Sequence, residues 1–164
     1  MPRSASLVLA AGLLAAGAAH ASQADHVRAE GAWIRVLPAG LPAGGYVTLY
    51  NEGDQAVALT GAGSTRYAHV MLHQSTTAGG MGRMSMVERL AIPPHGSVAL
   101  APGGYHLMLM QAGATVSPGD TVPLMLDFDD GSRLPVAFLA RPANAVDAGD
   151  APAEVPAAED EHAH

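Results

Sequence analysis

Hydrophobic and polar residues alternate with a period of two through most of the chain, and this pattern is typical of strands with one face in a core. The apolar segments are short, and a period of two describes them better than the 3.6-residue period of an amphipathic helix. We therefore predict eight or nine strands. They fall near residues 32–36, 46–50, 56–60, 68–74, 83–87, 97–100, 105–111, 122–128 and 133–139.

Glycine, proline and aspartate stand between these segments, as in Pro102-Gly103-Gly104 and Asp129-Asp130-Gly131, and they mark turns. The chain has 19 glycines and 12 prolines in 164 residues, which favours many turns over long helices. The predicted fold class is all-β, a Greek-key β-sandwich or barrel. With one tryptophan, four tyrosines and two phenylalanines, the core is expected to consist mostly of Val, Leu, Ala and Met.

Three of the predicted strands carry histidine and methionine on one face and aliphatic residues on the other. Grouped by strand, these donors are His69, Met71 and His73; Met84 and Met86; and His106, Met108 and Met110. A row of methionines in a strand is commonly a flexible core filling. However, an apolar core has no reason to combine imidazoles with thioethers on strands whose other face already supplies Val and Leu. The pattern therefore favours a metal site over packing.

The donor types select the metal, because thioether and neutral imidazole together prefer Cu(I) to zinc, magnesium or calcium. The sequence contains no cysteine, which excludes disulfides, thiol catalysis, zinc-thiolate sites, iron-sulfur clusters and type 1 copper centres. Methionine ligands also suit an oxidising export compartment, where free thiols tend to form disulfides. These observations predict a protein that binds copper and releases it, rather than an enzyme.

The two ends of the chain are expected to lie outside the folded domain, which we place at residues 25–141. Residues 1–21 have a basic start, a short apolar run and a small-x-small cleavage site, as a secretory signal peptide does. Cleavage after Ala21 or after Ala24 fits the pattern, and we expect a periplasmic protein with no stable membrane insertion. Residues 142–164 are rich in alanine, proline and carboxylates and predict a disordered tail. The formal charge of −7 argues against a nucleic-acid partner.

The spacing of four of these donors resembles the motif of the periplasmic PCuAC-type copper chaperones. That motif is a histidine, ten residues, a methionine, twenty-one residues and then His-x-Met, and it is matched by His73, Met84, His106 and Met108. Further segments are similar to the family across the whole domain. These are Gly31-Ala32-Trp33, Gly45-Tyr46-Val47-Thr48-Leu49, the run from Pro102 to Met110, and Gly119-Asp120-Thr121-Val122-Pro123-Leu124.

The resemblance implies a cupredoxin-like β-barrel that binds one Cu(I) through those four side chains and delivers it during cytochrome c oxidase assembly. The implied partners are the copper subunit of the oxidase, with its CuA centre, or a Sco-type copper chaperone. The protein itself is expected to be a monomer. His69, Met71, Met86 and Met110 share the same faces, and we interpret them as residues surrounding the ligands. His162 and His164 could add a Cu(II) site in the tail, as some family members have, or belong to a solvated acidic end.

Other functions remain open at this point. A periplasmic copper storage or resistance protein would use the same chemistry, whereas a purely structural β-sandwich would bind no copper. A copper enzyme that chelates the metal with its mature N-terminal histidine is not expected, because both cleavage sites leave residues ahead of His26. His26 and His95 are interpreted as surface residues.

Overall fold

The computed structural model describes residues 21–149. The predicted signal peptide, apart from Ala21, and the tail from residue 150 onward, including His162 and His164, lie outside the described residues. Within 21–149 the chain forms ten strands. They are β1 (Val27–Arg35), β2 (Ala43–Asn51), β3 (Val57–Ser64), β4 (Tyr67–Ala78), β5 (Met81–Met86), β6 (Leu90–Ile92), β7 (Ser97–Leu100), β8 (Tyr105–Ala112), β9 (Thr121–Phe128) and β10 (Arg133–Arg141).

The all-β prediction is confirmed, and each predicted strand corresponds to an observed one. Two features were missed. Strand β6 has only three residues, too few to show a period of two. Strand β1 begins five residues earlier than predicted because a bulge shifts the register between Glu30 and Trp33, where Gly31 has a φ of +60°. A bulge of this kind interrupts the alternation that the sequence reading relied on.

The strands form one strongly bent sheet in the order β5-β4-β8-β2-β1-β10-β9-β3-β6, and β7 also pairs with β2. Neighbours that are distant in sequence, such as β2 with β8 and β3 with β9, give the sheet the crossing connections of a Greek key. Strand β1 runs parallel to β10 and antiparallel to β2. The strands with histidine and methionine are therefore neighbours at one end of the sheet, in the order β5, β4, β8.

The core is aliphatic, with two phenylalanines and no buried methionine among the described residues. Its fully buried members include Ile34, Leu49, Leu72, Leu107 and Leu109. The expectation that methionine contributes to the core was therefore wrong. The methionines of β4, β5 and β8 lie on faces turned away from the aliphatic rows, and this leaves their thioethers available for another role.

Helical structure in the described part of the chain is limited to two 3₁₀ turns, Gln23–His26 and Pro38–Gly40. Neither turn has the length or hydropathy of a membrane-spanning segment. The first turn seals one end of the sheet, because Ala24 is buried and its N–H donates to Ser132 Oγ at 3.0 Å. Folded structure thus begins slightly before the predicted boundary at residue 25.

Candidate metal centre

Eight soft donors lie on one side of the β5-β4-β8 region. The strand register fixes this arrangement, since residues paired across neighbouring strands lie on the same face of a sheet. We call this side the soft-donor face. Its cross-strand pairs are His73 with His106, Met71 with Met108 and His69 with Met110 between β4 and β8, and His73 with Met86 and Ser75 with Met84 between β4 and β5.

The opposite side of the same strands belongs to the core and fixes the register. Leu72 pairs with Leu107, and Val70 pairs with Leu109, so the aliphatic residues stack as the donors do. The two leucines of β8 are fully buried. A slip by one residue would bury the imidazoles and expose the leucines, so hydrophobic burial holds the donors in place.

His73 has a ring nitrogen that is free to bind a metal ion. Its ring is partly buried, and its Nδ1 atom is shielded from solvent without a hydrogen-bond partner. Burial lowers the pKa of His73 below the usual 6.5, and the nearby His106 lowers it further. The imidazole is therefore neutral at neutral pH, which is the form that binds metal ions.

His106 is buried, with 7% of its surface exposed, and is oriented by the backbone. Its Nδ1 lies 3.1 Å from the carbonyl oxygen of Gly104, to which it donates as Nδ1–H. This hydrogen bond fixes the neutral tautomer and leaves the lone pair of Nε2 for a ligand. The ring centroids of His73 and His106 are 5.9 Å apart, with their planes at 80°. Two imidazole rings thus lie side by side on one face.

Methionines border the histidine pair on two sides. Met108 lies next to His106 along β8, on the same face, and is partly buried. On β5, Met86 is directly opposite His73, whereas Met84 is opposite Ser75 and is a diagonal neighbour of His73. Diagonal positions are about 7–8 Å apart, within reach of long side chains. Both methionines of β5 are exposed, Met84 at 53% and Met86 at 66%.

The structure thus brings His73, His106 and Met108 together and places two candidate thioethers beside them on β5. The assignment of Met84 as the fourth ligand stays a prediction, since the register makes Met86 the nearer partner of His73. Sequence reasoning treated Met86 as a neighbour of the site. The register of the β4–β5 hairpin, which depends on its turn at residues 79–80, is the information that the sequence did not supply.

An aromatic stack closes the β2 side of the soft-donor face, and the sequence reading gave it no role. Gly44 pairs with Met108, and the hydroxyl of Tyr46 lies 2.5 Å from where a Cβ on Gly44 would be. The Tyr46 ring packs on Trp33 with centroids 4.6 Å apart, and the Arg35 guanidinium lies 5.5 Å from each ring. The side chain of Tyr46 therefore lies over the backbone beside Met108.

The remaining histidines are arranged differently. His26 and His95 are exposed, as predicted, and His95 Nε2 lies 2.7 Å from Asp54 Oδ1. Within residues 21–149, no group of three or more His, Cys, Asp or Glu side chains could hold a metal ion. The soft-donor face offers a different donor set, in which thioethers stand beside imidazoles.

Comparisons with known proteins identify the family and the fold of this chain. The model of the family described as "Putative lipoprotein LpqE-like" matches residues 27–140. A relative from Leifsonia xyli subsp. xyli, the putative lipoprotein Lxx21020, is 34% identical over 116 residues, which cover 70% of this chain and 69% of the relative.

Solved structures with a similar fold include the Cu(I) form of DR1885 from Deinococcus radiodurans. It is 37% identical, with a TM-score of 0.56, and the match covers 68% of this chain and 75% of that one. The copper-bound PCuAC domain from PmoF2 has a TM-score of 0.61 at 21% identity, covering 75% of this chain and 98% of that domain, a likeness that shows the fold alone. The resemblance inferred from the motif is confirmed. The chain belongs to the LpqE-like family, and its fold is that of the PCuAC domains.

Proposed function

We propose that this protein is an exported, non-catalytic copper chaperone that binds Cu(I) through His73, His106, Met108 and a methionine of β5, Met84 by the motif. The observation that carries the proposal is the pair of imidazoles beside a thioether on one face, with the Nδ1 of His73 buried and unpartnered. An unpartnered buried nitrogen is unfavourable, and a bound metal ion would satisfy it.

The donor set supports Cu(I) in particular. Thioethers bind Cu(I) well and bind Zn²⁺ or hard cations weakly. None of β4, β5 and β8 contains an aspartate or a glutamate. The face therefore lacks the oxygen donors that calcium, magnesium or manganese require. The structure of Cu(I)-bound DR1885, which is 37% identical to this chain, supports the same assignment.

The position of the site supports transfer rather than retention. Strand β5 is an edge strand with every residue exposed, so the methionine side of the site opens to solvent. A partner that offers cysteine thiolates can approach from this side and replace the thioethers one at a time. The buried imidazole of His106 would then be among the last ligands to release the ion.

The proposed destination is cytochrome c oxidase, with delivery to the CuA centre of its copper subunit or to a Sco-type chaperone, in the periplasm. The family and relative names support export. Both names also include lipoprotein, but none of the 164 residues is a cysteine, so none of them can carry a thioether-linked lipid. The net charge of −7 would influence the rate at which the protein associates with the acceptor.

A transfer assay tests this function. The protein is loaded with one equivalent of Cu(I), freed of unbound copper and mixed with a soluble, reduced apo-CuA domain, and the two are separated and assayed for copper. The account expects copper in the acceptor. Once each acceptor domain holds two Cu(I) ions, one-electron oxidation with ferricyanide should produce the absorption spectrum of the mixed-valence CuA centre. The His106→Ala, Met108→Leu double variant, freed of unbound copper in the same way, should deliver less copper to the acceptor than wild type, because its tighter equivalent is lost. Copper that stays with the wild-type protein in the presence of excess acceptor would instead indicate storage.

A further inference from the structure

Besides one methionine of β5, three soft donors of the soft-donor face are not used by the site proposed above. They are His69 and Met71 on β4 and Met110 on β8, and we call them the second donor cluster. His69 lies directly opposite Met110 in the strand register, and Met71 is the next residue of β4 on the same face. Directly opposite residues have Cβ atoms about 4.5–5.5 Å apart, so an imidazole and a thioether can meet across this pair.

The His69–Met110 pair is too far from the His73–His106 pair to share one ion with it. Along β4 and β8 the cross-strand pairs follow in the order His73 with His106, Met71 with Met108, and His69 with Met110. Each step is two residues, about 7 Å along the strand, so the first and last pairs are about 14 Å apart. Met71 and Met108 form the middle pair, one step from each end. The site proposed above uses Met108, so Met71 remains available to the His69–Met110 pair.

Packing does not account for these three side chains. Val70, Leu72 and Leu109 already supply the core side of the same strands. His69 is exposed, and Met71 and Met110 are only partly buried. An exposed imidazole facing a partly exposed thioether gains little from burial, whereas it offers a nitrogen and two sulfur donors to a soft metal ion.

We propose that His69, Met71 and Met110 bind a second Cu(I) ion, so that the fully loaded protein holds two ions on one face. The identity of the ion rests on the proposed function, because the same donors would serve any soft monovalent cation. Only one imidazole is present, and the cluster is more exposed than the His73–His106 site. The second ion therefore binds more weakly than the first and exchanges more readily.

A competitive titration of the full chain with Cu(I) and a chromophoric chelator tests the second site. The His69→Ala, Met110→Leu variant should bind one equivalent fewer than wild type and keep the tighter equivalent. The His106→Ala, Met108→Leu variant should lose the tighter equivalent and keep the weaker one. Met125→Leu is the matched control, because Met125 is a partly exposed methionine on β9, away from this face, and its binding should equal that of wild type.

The methyl groups of the methionines give an independent readout in the unaltered protein. In NMR spectra of wild-type protein labelled with ¹³C at the methionine methyls, the signal of Met108 should shift with the first equivalent. The signals of Met71 and Met110 should shift with the second.

The outcomes separate the two proposals. A single wild-type equivalent that persists in His69→Ala, Met110→Leu overturns the second site and leaves the chaperone function standing. A single equivalent that this variant abolishes also overturns it, because the cluster would then belong to the first site. Absence of Cu(I) binding by wild type overturns both.

Discussion

His73 and His106 lie directly opposite each other on β4 and β8, with their ring centroids 5.9 Å apart and their planes at 80°. Two protonated imidazoles at this distance would repel each other, and burial of His73 makes its charge still less favourable. Burial thus favours the neutral form of His73, which is the form that a metal ion needs.

Acidification should weaken Cu(I) binding in a manner that identifies the histidine ligands. Protons compete for the same nitrogens, so log affinity should fall by about one unit per pH unit for each imidazole that is protonated. The pKa of His73 is below 6.5, so its share of the fall should begin at lower pH than for an ordinary histidine. Titrations with a pH-independent competitor between about pH 7.5 and 4 measure the slope. A flat affinity over this range would contradict ligation by histidine.

The same shift predicts the acid response of the metal-free protein. The unfolded chain protonates His73 near 6.5, whereas the folded chain resists protonation to lower pH, so the unfolded state binds more protons as the solution is acidified. The contribution of neutral His73 to the free energy of unfolding is complete above about pH 6.5 and is lost as the pH falls through the folded-state pKa. Thermal melts of wild type and His73→Ala at several pH values check this. The wild type should lose more of its melting temperature than the variant as the pH falls.

Met84→Leu should weaken Cu(I) binding by at least about tenfold while changing the free energy of unfolding by less than about 0.5 kcal/mol. Met84 is 53% exposed and its side chain is not part of the core, so leucine removes the sulfur without leaving a cavity. Competitive titration and denaturant melts provide the two quantities. Met86→Leu is the companion variant, because Met86 is directly opposite His73. If Met86→Leu alone weakens binding, the fourth ligand is Met86 and the assignment from the motif is wrong.

Gly45→Ala should destabilise the protein and disturb the metal site together. A Cβ at Gly45 would lie 3.0 Å from Leu109 Cδ1 and 3.2 Å from Leu107 Cβ, both in fully buried residues. Overpacking of this kind costs about 1–3 kcal/mol. The strand displaced is β8, which carries His106 and Met108, so the Cu(I) affinity should fall as well. Gly63→Ala is the control, because nothing lies within 4 Å of its Cβ position. Equal stability of the two variants would contradict this packing argument.

Gln23→Ala should lower the free energy of unfolding by about 1–3 kcal/mol, because it leaves the buried N–H of Ala58 without its acceptor. Gln23 Oε1 accepts that N–H at 3.0 Å, and its Nε2 donates to Asp129 Oδ1. Denaturant melts measure the loss, with Gln55→Ala as an exposed control.

A protein that starts at Asp25 should be destabilised more than the Gln23→Ala variant, whereas one that starts at Ser22 should keep full stability.

Much of the fold could be predicted because strict alternation survives where one strand face is buried. In β8 the donors alternate with Leu107 and Leu109, and the observed strand begins at Tyr105 as predicted. Alternation fails where the backbone departs from regular pairing. The bulge at Gly31 hid the first part of β1, and Leu90–Ile92 was too short to show a period.

The site, like the fold, could be predicted only in part from the sequence. Face alternation within one strand predicted that His106 and Met108 share a side, and the structure agrees. The pairing of β4 with β5 depends on the turn between them, so the spacing motif, which selects Met84, could not show that Met86 is directly opposite His73. Long-range contacts were also beyond the sequence reading. Neither Tyr46 over Gly44 nor the Nδ1–H of His106 on the Gly104 carbonyl leaves a periodic signal.

A competitive Cu(I) titration of the wild-type protein beside the His106→Ala, Met108→Leu variant tests the central claim most directly. The account predicts that the wild type binds its first equivalent tightly and that the variant, with an unchanged fold by circular dichroism, loses this equivalent. Tight binding retained by a folded variant would contradict the assignment of the site to the His73–His106 face.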